Sequence, residues 1–175
     1  MELNEARGMA RERFPVRRSD TEATTTLCVT NRCRVAINSR LNTFLAPAGA
    51  ISAKSNANDE SAQDMLLWPG MLLQSAITDR KNLKNALRYK LLEITADTAS
   101  LARANDEGDA IGEPFDLTTS DVPQKMRLTY AITYDSSQAR TLYGNVRLKQ
   151  TSHPRMNLRR LIVGLGRAPE GDQLE

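Results

Sequence analysis

The chain has 175 residues, 40% apolar and 26% charged, an ordinary make-up for a soluble globular protein and a length that suits one compact domain with tails. No apolar run approaches the roughly 18 residues of a spanning helix, which excludes an integral membrane protein, and residues 1–20 alternate Arg with Glu in place of a signal-peptide core, which points to an intracellular one. The net charge of +3 is zoned: residues 1–58 carry nine basic against five acidic side chains, 59–121 six against twelve, and 122–175 nine against four.

In chain order, residues 1–22 combine Arg7, Arg11, Arg13, Arg17 and Arg18 with interspersed acids and few apolar anchors, which predicts a flexible mixed-charge arm. From Thr24 to Ile37, Leu27, Val29, Cys33, Val35 and Ile37 are interleaved with Thr and Arg, the pattern of a strand pair or bent strand. Leu41, Phe44 and Leu45 precede a Pro47-Ala48-Gly49 loop and a small polar connector to Asn58. Asp59-Glu60-Ser61 can open a helix through Met65, Leu66 and Trp68, stopped by Pro69-Gly70, and Asp79 can cap a second helix over 79–88. Tyr89–Thr95 fits either a continuation of that helix or a strand, with the strand preferred. The acidic, Gly- and Thr-containing stretch 96–123 reads as an exposed excursion.

Met126, Leu128, Tyr130, Ile132 and Tyr134 alternate along a half-buried strand, and Asp135–Gln138 turns the chain. On the returning strand Leu142, Gly144, Val146 and Leu148 line the inward side, leaving Arg147 and Lys149 to solvent. Leu161–Leu165 is a further strand candidate, and the acidic tail 169–175 frays. The expected fold is α+β: one compact domain over 23–168, with a twisted antiparallel sheet packed by two or three helices.

No residue set carries a catalytic, cofactor or metal signature. Cys28 and Cys33 lack metal-ligand spacing and read as a small buried hydrophobe and a neighbour near a turn. His153, the only histidine, sits in a Thr151–Pro154 turn with no carboxylate nearby in sequence to orient it. Gly164-Leu165-Gly166 lacks a third glycine, no Gly-Lys-Ser/Thr occurs, and Asp106-Glu107-Gly108-Asp109 lacks calcium-loop spacing. What remains is charge. Arg140, Arg147, Lys149, Arg155, Arg159, Arg160 and Arg167, with the arm residues Arg7, Arg11, Arg13, Arg17 and Arg18, can contact phosphates of nucleic acid or lipid headgroups. Only Tyr130, Tyr134 and Tyr143 accompany the C-terminal basic residues, too few aromatics for base stacking to lead.

The element order resembles the matrix proteins of rhabdoviruses, in the compact form found among plant viruses. The resemblance rests on the basic arm, the Leu27–Arg34 strand, the Trp-bearing stretch 59–68, Tyr89-Lys90-Leu91-Leu92, the run Leu128–Asp135 and the apolar Leu161–Leu165. It implies a non-enzymatic structural protein of the virion, host cytoplasm and inner membrane surface. Such a protein links viral ribonucleoprotein or RNA to an anionic membrane surface and self-associates as a homo-oligomer. A coat protein of a small RNA virus, with a basic RNA-binding arm, is the alternative. The third reading is an enzyme using acids of the 59–121 zone.

Overall fold

The structure, a computed structural model, describes residues 2–14, 23–56, 62–138, 141–142, 144–168 and 174. The chain divides into two compact units, one formed by residues 1–34 and 130–175 and the other by residues 35–129. Helices and a mainly antiparallel set of strands make the class α+β, as expected from sequence.

The first unit begins with α1 (Leu3–Arg13). A capping box between Glu2 and Glu5 satisfies its first amides, Ala6 is buried, and Leu3 and Phe14 pack on the core. Much of the predicted flexible arm is therefore helical, because three apolar side chains on one face suffice to hold it. β1 (Thr25–Cys28) follows, then α2 (Asn31–Leu45), which begins in this unit and ends in the other. The strand reading of Thr24–Ile37 is thus half corrected. Arg34, Ile37, Asn38, Leu41 and Asn42 are all buried, and that 3–4 spacing outweighs the alternation of Cys33, Val35 and Ile37.

The second unit holds β2 (Ile51–Ala53) paired antiparallel with β3 (Met65–Leu67). It continues with β4 (Leu72–Ser75), β5 (Arg88–Ile94), β6 (Thr98–Ala104), β7 (Ala110–Thr118), the short α3 (Val122–Lys125) and β8 (Met126–Leu128). The strands from β4 to β8 form one antiparallel sheet in the order β7-β6-β5-β4-β8.

Three expectations fail in this unit, each for a physical reason. The helix placed at 59–68 is, where it is described, irregular chain around the strand Met65–Leu67, because the Asn42 carboxamide holds the Leu66 backbone on both sides, donating to its carbonyl (2.8 Å) and accepting from its amide (2.7 Å). The helix placed at 79–88 is a loop leading into β5: Asp79 Oδ1 accepts from the amides of Lys81, Asn82 and Leu83, and the Tyr89 hydroxyl takes up the Lys84 amide and the Asn82 carbonyl. The supposed excursion 96–123 supplies β6 and β7, with Ala99 and Leu101 fully buried. Tyr89–Ile94 is a strand, as preferred.

Back in the first unit, β9 (Ala131–Thr133) and β10 (Val146–Leu148) flank β1, both parallel to it, and α4 (Leu158–Leu165) closes the unit. The single strand read over Met126–Tyr134 is two strands in two sheets. It is broken at Thr129, whose hydroxyl donates to the Leu72 carbonyl (2.9 Å), and at Tyr130, whose carbonyl takes the Thr26 amide (2.8 Å). The predicted strand Leu161–Leu165 is the body of α4, capped by Asn157 accepting from the Arg160 amide. Gly164 lets α4 approach closely, since a Cβ there would lie 2.7 Å from the Tyr134 ring. Leu27, Ile132, Tyr134, Val146 and Leu161 form the centre of this core. Leu174, in the tail expected to fray, is buried against it and bridges to Val146.

Candidate functional site

Because β1, β9 and β10 run parallel, their carboxyl ends lie along one edge, the place where open parallel sheets bind ligands. β1 ends in Val29-Thr30 and the start of α2; β9 ends in Tyr134 and a short 3-10 turn over Asp135–Ser137; β10 ends in Lys149-Gln150 and the turns at Thr151–Arg155.

Hydrogen bonds join these three loops into one rim. Gln150 Oε1 accepts from the amides of Val29 (2.9 Å) and Thr30 (3.1 Å), and Thr30 Oγ1 accepts from the Cys33 amide (3.2 Å). Arg11, at the end of α1, donates to Ser152 Oγ (3.1 Å). Arg160 grips both carboxylate oxygens of Asp135, through Nε (3.1 Å) and Nη2 (2.8 Å), while its Nη1 donates to the Arg155 carbonyl. That grip holds the Asp135 carboxyl below the ordinary aspartate value and raises Arg160 in turn. Thr133 and Ser136 exchange a hydroxyl bond of 2.8 Å beside them.

The chemistry available here is that of donors. Arg11, Arg32, Arg155 and Arg159 are exposed and Lys149 is half-buried, whereas the one rim carboxylate among the described residues, Asp135, is already neutralised by Arg160. Among the described residues of the rim, Asp135 therefore has no second carboxylate beside it for general acid and base work. Burial pushes the Cys28 thiol up, with Cys33 adding to the effect, which makes it a poor nucleophile. Burial raises the Tyr134 phenol too, and its hydroxyl donates to the Lys149 carbonyl (3.2 Å). A row of guanidinium and hydroxyl donors in which, among the described residues, the one carboxylate is already paired suits a polyanion.

The basic residues singled out in the sequence divide sharply. Arg11, Lys149, Arg155, Arg159 and Arg160 belong to the rim. Arg147, expected in solvent, is 5% exposed, because β10 is covered on both faces: Val146 is buried on one, and Arg147, paired with buried Thr26, on the other. Arg167 donates to the Val163 and Ser137 carbonyls and so ties α4 to the 3-10 turn. Arg7 bonds Asn4 and Arg13 lies 6.0 Å over the Phe14 ring, both within the α1 region. Arg17, Arg18 and Arg140 lie outside the described residues. Sequence reasoning missed Thr30, Arg32, Asp135 and Gln150. The usable signal was Thr30-Asn31 directly after an apolar strand, a strand-to-helix junction with its own cap chemistry.

No known family's sequence profile matches the chain, and no curated protein matches it. Solved structures do. Over 98% of its length the chain is similar to a structure described as two Pif1 helicases coordinating DNA unwinding at forked duplex, with a TM-score of 0.64 and 16% identity. The Pif1 helicase of Candida albicans gives 0.60 and 14%, and a Bacteroides Pif1 helicase in complex with ADP-AlF3 and single-stranded DNA gives 0.61 and 15%, each again over 98% of this chain. The chain spans 44%, 49% and 47% of the three matched chains. This likeness in fold overturns the resemblance to rhabdovirus matrix proteins: the structures just named are Pif1 helicases, not matrix or coat proteins. The non-enzymatic matrix-protein and coat-protein attributions fall with it, and the likeness gives no support to a membrane surface or a homo-oligomer as partner.

Proposed function

We propose that this chain is the strand-binding part of a helicase-type enzyme and that it engages the phosphate backbone of single-stranded nucleic acid along the carboxyl rim of β1, β9 and β10. The observation carrying this reading is the likeness over 98% of the chain to Pif1 helicase structures, among them one described as bound to single-stranded DNA. The rim supplies the matching chemistry, with Arg11, Lys149, Arg155 and Arg159 as phosphate donors and Arg32 at the mouth of α2. Ionic contacts of this kind release counterions, so affinity falls with salt, by about 0.7 in logarithmic slope for each phosphate contact on a single strand.

The test is fluorescence anisotropy of a labelled oligo-dT strand across a potassium chloride series. Wild-type protein binds with a steep salt dependence, and the double variant Arg155→Ala/Arg159→Ala binds more weakly with a slope shallower by about 1.4, two contacts' worth. An Arg147→Lys variant leaves the slope unchanged, because that residue is buried. Absence of binding at low salt, or an unaltered slope in the double variant, defeats the reading.

A further inference from the structure

Two non-glycine residues among the described residues adopt positive φ, Ala86 at 71° and Gln150 at 60°. Ala86 sits near the end of the connection between β4 and β5, where its amide donates to the Ser75 carbonyl (2.9 Å). Gln150 stands at the rim. A left-handed backbone is unfavourable for Gln and costless for Gly, so a Gln held in it must be repaid by what its side chain does, and strained residues of this kind gather at ligand clamps.

The carboxamide of Gln150 spans two loops. Its oxygen accepts from two successive amides, Val29 and Thr30, which lie past the last paired residue of β1 and ahead of α2. Its nitrogen donates to Thr30 Oγ1 (3.3 Å), the same oxygen that receives the Cys33 amide in the first turn of α2. One side chain therefore fixes the entry to α2, with exposed Arg32 on it, to the loop that carries Ser152 and Arg155. The backbone twist at residue 150 is what aims the carboxamide across.

The geometry points to Gln150 as a positioning residue for strand binding: it locks the β1–α2 loop to the β10–α4 turns so that cations on both loops meet one phosphate backbone in register. This inference rests on the nucleic-acid reading above. Gln150 itself touches no phosphate in it.

Two variants separate this role from a merely structural one. Gln150→Met keeps length and removes the polar atoms; Gln150→Gly removes the side chain and relieves the backbone. Hydrogen exchange at the Val29 and Thr30 amides reads the clamp, thermal unfolding reads the fold, and oligo-dT anisotropy reads the binding. The expected result is faster amide exchange in both variants and affinity lowered about tenfold, with Gln150→Gly no less heat-stable than wild type. Unchanged exchange overturns the clamp, and faster exchange with unchanged affinity overturns its role in binding. If wild type binds no strand while exchange still responds to both variants, the nucleic-acid reading has failed, this inference falls with it, and the clamp survives as a structural bond alone.

Discussion

The two units are built on opposite plans. The unit of residues 35–129 is an antiparallel sheet whose neighbouring strands are mostly successive in sequence, and it carries ten basic against twelve acidic residues. The unit of residues 1–34 and 130–175 is a parallel sheet assembled from distant segments, with fourteen basic against nine acidic residues. The loop over residues 76–87 that joins two neighbouring antiparallel strands spends its polar groups on itself, as Asp79 does with the amides of Lys81, Asn82 and Leu83. Parallel strands must bring three separate loops to one edge, where hydrogen bonds join the loops and Arg32, Arg155 and Arg159 remain exposed. Topology, more than composition, decides which unit carries the rim.

The comparison can be broken at several points. The largest effect is expected from Leu27→Ala, which empties the centre of the parallel unit's core and should cost about 2–5 kcal/mol in chemical denaturation. A matched loss from Leu101→Ala in the antiparallel sheet would show that both cores are packed to the same standard. Next comes Gly164→Ala, where the new methyl meets the Tyr134 ring and Leu148. Overpacking there should cost about 1–3 kcal/mol in stability and should lower strand affinity further if the turn after β9 shifts.

Asp79→Ala leaves three amides without their acceptor and should cost about 1–2 kcal/mol while leaving strand binding alone, which separates the loop that serves the fold from the loops that serve the rim. Acid should act more on the antiparallel unit. Asp64, held at about 2 by hydrogen bonds from Lys54 and the Ser55 backbone, has its carboxyl depressed, as do Asp79 and Asp121; the parallel unit has Asp135. A depressed folded value means that the stabilisation is present above the ordinary aspartate value and is lost as pH falls through the depressed one. Urea midpoints should therefore decline between pH 4 and about 2, and less so in Asp64→Asn. The smallest change is expected from Arg160→Ala, an exposed pair with Asp135 worth about 0.2–1 kcal/mol, visible mainly as a recovered ordinary titration of Asp135 by NMR.

Legibility followed the same division unevenly. Tyr89–Ile94 and the alternation through Met126–Leu128 were readable as strands because one face is buried along each. Leu161–Leu165 was misread because five apolar residues fit a strand or a buried helix equally, and the deciding residue, Asn157, is a cap lying before the run. Thr24–Ile37 was misread beyond Cys28 because buried Arg34, Asn38 and Asn42 mark the helical face with polar side chains, which a hydrophobic pattern does not count. At the rim, the cations Lys149, Arg155 and Arg159 could be picked out by type. Gln150 could not, since its role depends on a backbone angle and on loops more than a hundred residues apart. Arg147 shows the converse: alternation put it in solvent, yet Val146 and Arg147, which point to opposite faces of β10, are both buried, as parallel strands commonly are.

The pairing of Thr26 with Ala131 on one side and Arg147 on the other has a consequence for how the protein is made. When β1 leaves the ribosome neither of its neighbours yet exists, and its unpaired edges must wait while the whole of residues 35–129 is synthesised. The hairpins of that intervening stretch can close as they emerge, shortening the span that separates β1 from its mates. Termination before residue 131 would then release a chain whose Leu27-bearing strand has neither partner, a species prone to aggregate.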